Sequence, residues 1–137
     1  MKKLPINNRS ECPLSGFLDI LGDKWSLLII RDLMFSGKNT FGDFLKSPEG
    51  IATNILTSRL VTLEENGFIK KLKDPANKKV PVYTLTRKGR ELQPILVEVY
   101  LWTEKYFPIP DDSITYTSKS KCGKYFERNF IMKIYSS

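Results

Sequence analysis

Thr53, Asn54, Thr57, Ser58 and Arg59 fall within seven consecutive positions, and their types suit one kind of chemistry. An asparagine amide can donate to and accept from the edge of an adenine at once, and small hydroxyls can serve base edges or phosphates. Thr53, Asn54, Thr57 and Ser58 are small, so the backbone carrying them can approach a grooved polyanion closely. Arg59 has two readings, a phosphate contact or an internal brace. The plain alternative for the whole set is a solvated helix face.

A second group lies downstream. Lys70, Lys71, Lys73, Lys78 and Lys79 crowd one short stretch, and Arg87, Lys88 and Arg90 follow it. Between Lys38 and Arg90 stand eleven basic and five acidic residues, so this segment carries most of the formal charge of +7 on the 137-residue chain. Such a concentration favours a polyanionic partner, double-stranded DNA above all. Lysines on a hairpin also serve to block strand pairing at a sheet edge, and that reading stands beside the first.

Other chemistry is poorly supplied. The chain has no histidine, which removes Ser-His-Asp and Cys-His catalysis and the ordinary zinc sites. No phosphate-binding glycine loop is present, so neither a cofactor nor a metal is expected, nor an enzyme. The two cysteines, Cys12 and Cys122, are far apart and belong to no CxxC pair. No apolar run approaches the roughly 18 residues of a membrane span, and Met1 to Asn8 lacks the apolar stretch of a signal peptide. The expectation is a cytoplasmic protein without a membrane partner.

The elements that would position these groups follow from periodicity. Pro13 suits the first turn of a helix, and Leu14, Phe17, Leu18 and Leu21 have the spacing of one buried face. Asp23 caps a second helix, apolar nearly all round from Trp25 to Met34. Thr40 and Asp43 form a capping box at the start of a third, short helix. A fourth is expected from about Thr53 to Asn66, with Leu56, Leu60 and Leu63 inward and Asn66-Gly67 as its stop. Phe68 to Lys73 alternates as a half-exposed strand, and Val80 to Thr84 returns as the second arm of a hairpin. Thr86 caps a long helix, in which Pro94 predicts a kink or a broken turn.

The fold class expected is therefore mainly α (α+β), a winged helix-turn-helix with a two-stranded wing and a long C-terminal helix. Residues 1–11 form an arm, 12–107 the domain, and 108–137 an extension expected to be helical. Leu92, Ile95, Leu96, Val99, Tyr100 and Trp102 give the long helix more apolar surface than a small domain easily covers. Dimerisation is one use for it, and packing on the helix that begins at Leu14 is another. A two-fold dimer would set two reading helices about one DNA turn apart, ~34 Å.

Several motifs, in order, resemble the HxlR family of bacterial regulators: Cys12-Pro13, the run Gly22 to Leu33 (GDKWSLLIIRDL), and Phe41-Gly42-Asp43-Phe44. The runs Gly50 to Leu60 (GIATNILTSRL), Leu63 to Ile69 (LEENGFI) and Tyr83 to Leu92 (YTLTRKGREL) continue the likeness, which covers roughly Cys12 to Trp102. That family is similar to the MarR winged-helix regulators. The resemblance implies homodimers on palindromic operators, usually as repressors. The tail beyond Phe107 departs from the family's usual ending.

Cys12, just before Pro13, sits at a helix N-terminus, where the positive end of the helix dipole favours the thiolate. Several HxlR relatives resemble sensors of electrophiles or oxidants through a cysteine near this position. An inert thiol is the alternative. A winged helix used only for protein contacts is the competing reading of the whole chain. A third is a ligand-gated regulator with an aromatic pocket around Trp25, Tyr100 and Trp102.

Overall fold

A computed structural model describes residues 9–76 and 79–107. The extension 108–137, with its expected helix and Cys122, and Lys78 in the hairpin loop lie outside the described residues.

Helix α1 (Pro13–Leu21) starts at its proline, with Cys12 extended before it, and ends where the Gly22 N–H reaches the Leu18 carbonyl. Its inward face matches the expected one only at Phe17 and Leu21. Gly16, Ile20 and Leu21 are buried and Phe17 packs partly against the core, whereas Leu14 is 64% and Leu18 47% exposed. Periodicity marks a stripe of leucines but does not say which stripe meets the next element.

Helix α2 (Ser26–Phe35) is the centre of the fold, and none of its residues is exposed. Ile29, Ile30 and Phe35 are buried outright. Asp23 caps it as expected: its carboxylate accepts from the Trp25 and Ser26 N–H groups at 3.0 Å each and from the Ser26 hydroxyl at 2.5 Å. Helix α3 (Phe41–Leu45) carries the expected capping box. Asp43 N–H donates to the Thr40 hydroxyl, and the Asp43 carboxylate accepts from the Asn39 and Thr40 N–H groups. Helix α4 (Thr53–Glu65) buries Leu56, Leu60 and Leu63 and is closed by Gly67 at φ 78°. That angle is in the left-handed region open to glycine.

Strands β1 (Ile69–Lys73) and β2 (Pro81–Leu85) form one antiparallel pair, with Ile69 opposite Leu85 and Lys73 opposite Pro81. The expected half-buried alternation fails. Phe68 and Ile69 are both buried, and every later residue of β1 is exposed. Strand β1 leaves the core after one residue, whereas β2 stays half-buried from Pro81 to Tyr83, with the Tyr83 ring 6.1 Å from that of Phe44.

The expected long helix is two. Thr86 caps α5 (Arg87–Arg90), the chain breaks at Glu91–Leu92, and α6 (Gln93–Tyr106) begins with Pro94 in its first turn. The broken turn near Pro94 was expected, and here the proline starts a helix, where its missing N–H costs nothing. Gly89 of α5 touches the base of the hairpin: a Cβ there would lie 2.3 Å from the Phe68 carbonyl oxygen. The core joins the end of α1, α2, α3, α4 and the hairpin root to Leu92 and to Leu96 and Val97 of α6. The architecture is the expected mainly α winged helix-turn-helix.

Candidate nucleic-acid interface

Helix α4 has an inner and an outer face. With Leu56, Leu60 and Leu63 turned inward, a 100° step per residue sets Asn54, Ser58 and Val61 along the opposite side. Thr53, Asn54, Thr57 and Ser58 are all exposed. Thr57 turns its hydroxyl proton back to the Thr53 carbonyl (2.9 Å), which leaves the oxygen lone pairs and the methyl outward. Arg59 is half-buried beside Asp23, 3.8 Å away, and its guanidinium also donates to the Ser58 hydroxyl. The brace is thus the contact Arg59 makes here, tying α4 to the turn that starts α2.

The support beneath α4 was not foreseen. Asp32, 3% exposed on α2, accepts a hydrogen bond from the hydroxyl of Ser47 in the α3–α4 connector. Lys38 donates to the same hydroxyl at 2.8 Å. Arg31 spans Asp32 (2.9 Å) and Glu49 (2.5 Å). Burial works against the Arg31 charge, but the hydrogen bond to Glu49 and the charge of Asp32 outweigh it and hold the guanidinium above its usual range. The connector Ser47-Pro48-Glu49-Gly50 is therefore bolted to α2 by a charged network, and α4 begins immediately beyond it. The signal in the sequence was a charged pair, Arg31-Asp32, inside an otherwise apolar helix.

The basic residues divide by the work they do. Lys70, Lys71 and Lys73 are exposed along β1, and Lys79 is exposed at the start of the returning segment. Lys88 donates to the Asn66 carbonyl at 2.7 Å and lies over the Phe68 ring, so it closes α4. Arg90 donates to the Leu85 carbonyl. Arg87 is exposed and paired with Glu91 one turn on, an interaction worth little in water. Between α4 and the hairpin runs a groove lined by Thr57, Val61, Glu64, Lys71 and Tyr83. Burial, and behind it the charge of Glu64, push the Tyr83 phenol up, so it stays a neutral hydroxyl.

The apolar residues proposed for dimerisation also divide. Leu92 and Leu96 are buried in the chain's own core, and Tyr100 is half-buried. Leu92 and Leu96 therefore have little surface left for a partner. Ile95, Val99 and Trp102 (58%) are exposed, as are Leu14 and Leu18 on α1. Cys12 is exposed, with its N–H bonded to the Ser10 hydroxyl. Among the described residues no group of acidic or cysteine side chains could hold a metal, and no helix is long and apolar enough to cross a membrane.

The profile of the HxlR-like helix-turn-helix family matches residues 20–110. The chain belongs to the HxlR-like helix-turn-helix family. It is 38% identical over 89 residues to the transcriptional regulator sll1512 of Synechocystis, a match spanning 65% of each chain. To the transcriptional regulator YodB of Bacillus subtilis it is 31% identical over 104 residues, 75% of this chain and 91% of that one. The reduced form of YodB has the same fold (TM-score 0.59, 71% of this chain and 95% of that one). So has the redox regulator HypR in its oxidised form (TM-score 0.62, 29% identity, 72% and 100%). YodB has also been solved with quinone bound and after diamide treatment. This HxlR-family protein is thus a helix-turn-helix transcriptional regulator of MarR-like fold, in a family of regulators rather than enzymes.

Proposed function

We propose that this regulator is a cytoplasmic homodimer that reads a palindromic operator and represses transcription from it. One observation carries the reading: the small polar face of α4 stands exposed, beside a hairpin of exposed lysines, while its inner face is buried in the core and the connector before it is fixed to α2. Asn54, Ser58, Thr57 and Thr53 are the base-edge and phosphate contacts. Lys70, Lys73, Lys78 and Lys79 are the phosphate contacts of the wing, with Arg87 at its flank. Arg59 orients α4 through Asp23. The uncovered apolar residues Ile95, Val99 and Trp102, with Leu14 and Leu18, supply the subunit interface, and Tyr100 lies at its edge.

Cys12 is the proposed receiver of an electrophile or oxidant signal. Its exposure at the start of α1, next to the proposed interface, and the redox description of HypR support this. Operator binding by wild type should weaken with quinone or diamide and recover with thiol, while Cys12→Ser should not respond. An equal response of both proteins removes Cys12 from the mechanism.

The decisive test is a salt titration of binding to DNA upstream of its own gene against scrambled DNA. A preference of about 10³-fold or more at physiological salt is expected. Replacing Lys70 and Lys73 by Gln should lower the salt slope by about 0.9 for each phosphate no longer neutralised, equally on both DNAs. Absence of binding to either DNA would favour a winged helix that contacts proteins.

A further inference from the structure

Val61 stands out on α4. It is 51% exposed, apolar and β-branched, in the middle of a helix whose other apolar residues are buried or half-buried. It falls on the outward stripe with Asn54 and Ser58, one turn beyond Ser58 and two beyond Asn54. A β-branched residue is a poor choice for an exposed helix position on local grounds, because it loses side-chain freedom and buries little there. Toward the C-terminus the stripe ends in acid at Glu65, with Glu64 on its flank toward the hairpin, and both are exposed. Those carboxylates repel phosphates and so bound the DNA-facing surface at Val61.

We infer that Val61 is a specificity-determining residue that packs on the C5-methyl group of a thymine in the major groove. Rigid apolar side chains distinguish thymine by that methyl, the one apolar feature a base pair shows there. Seven residues of helix separate Val61 from Asn54, about 10 Å along the axis. With bases stacked about 3.4 Å apart, the thymine lies up to about three base pairs from the adenine read by Asn54. The half-site therefore carries both an adenine and a thymine at a fixed spacing. This inference rests on the operator reading proposed above.

The test selects the preferred duplex from a random library with wild-type full-length protein. Each thymine of that duplex is then replaced by uracil, which removes the methyl alone. Binding of wild type and Val61→Ala is measured by fluorescence anisotropy at physiological salt. One thymine per half-site should cost about four-fold in wild-type affinity when its methyl is removed, the scale of one buried methyl-sized group. Val61→Ala should bind the thymine and uracil duplexes alike, while keeping its preference at the adenine. A selected duplex on which both proteins respond equally to every uracil overturns the Val61 assignment and leaves the operator reading intact. A library from which wild type enriches no sequence overturns the operator reading and this assignment with it. Helix content by circular dichroism should be the same in both proteins, since the Val61 side chain lies outside the core.

Discussion

The helix-turn-helix frame and the wing stand side by side but are held by opposite means. The frame is pinned underneath: Asp32, Ser47, Lys38, Arg31 and Glu49 join α2 to the α3–α4 connector in a partly buried network. The wing is anchored at its root, where Ile69 and Leu85 face each other in the core and Gly89 lets α5 approach the Phe68 carbonyl. It is also anchored along β2, where the Tyr83 N–H donates to the Asn39 carbonyl and the Tyr83 ring lies 6.1 Å from that of Phe44. Its other strand, β1, runs into solvent after Ile69. The difference separates geometry from charge. The frame fixes where a reading surface points, and the wing offers exposed lysines that need no fixed geometry to attract phosphate.

The largest effect should come from breaking the frame. Asp32→Ala takes the acceptor from the Ser47 hydroxyl and leaves Arg31 with a single partner. Removing one member of a buried charged pair costs about 3–5 kcal/mol, to be read from urea unfolding. Ser47→Ala should cost about 1–3 kcal/mol by leaving an Asp32 oxygen unsatisfied. If Asp32→Ala behaves like a surface substitution, within about 0.5 kcal/mol, the frame is not pinned there and the contrast with the wing disappears.

The next effect divides the wing internally. Ile69→Ala should cost about 2–4 kcal/mol by opening a cavity at the root. Leu72→Ala, three residues further along a strand that has already left the core, should stay within about 0.5 kcal/mol. Equal destabilisation at the two positions would mean that β1 is packed against something beyond its first residue.

The smallest effect concerns the start of α3. Partial burial pushes the Asp43 carboxyl up, but the Asn39 N–H and the Thr40 hydroxyl and N–H outweigh it and hold it below its ordinary value. A carboxyl lowered in the folded state stabilises the fold above its unfolded pKa, about 3.9, and that contribution disappears as pH falls through the folded value. Stability should therefore decline on acidification below about pH 4, and the decline should be shallower in Asp43→Asn. Thr40→Ala should cost about 1 kcal/mol at neutral pH. An unchanged acid limb in Asp43→Asn would show that the cap does not depend on the carboxylate charge.

Local physical chemistry made much of this legible. The Thr40–Asp43 box, the Asp23 cap, the inward Leu56, Leu60 and Leu63 and the stop at Gly67 all follow from interactions within a few residues, and the structure has each. The outward Thr53, Asn54, Thr57 and Ser58 followed from the same helix once its inner face was known. What was misread depended on how the folded elements meet. Leu14 and Leu18 have the period of a buried face with Phe17 and Leu21, yet the core accepts Ile20 beside Leu21 and leaves Leu14 and Leu18 exposed. Arg59 could have met a phosphate, but Asp23 was near in space. Of the lysines and arginines after Asn66, Lys88 and Arg90 are committed to backbone carbonyls, which charge counting does not detect.

By itself, then, the sequence determined the order of elements, the caps that start them, the motifs of its family and the excess of positive charge near one helix. These depend on residue type and short spacing, which a chain carries before it folds. Only the tertiary structure decided which leucines are covered, which cations are already spent, and that a buried carboxylate on α2 holds the connector to α4. Those outcomes depend on burial and on partners that the fold brings together, fifteen residues apart in the chain for Asp32 and Ser47. A buried charge has to find its partner where the fold puts one, and no local pattern fixes that place.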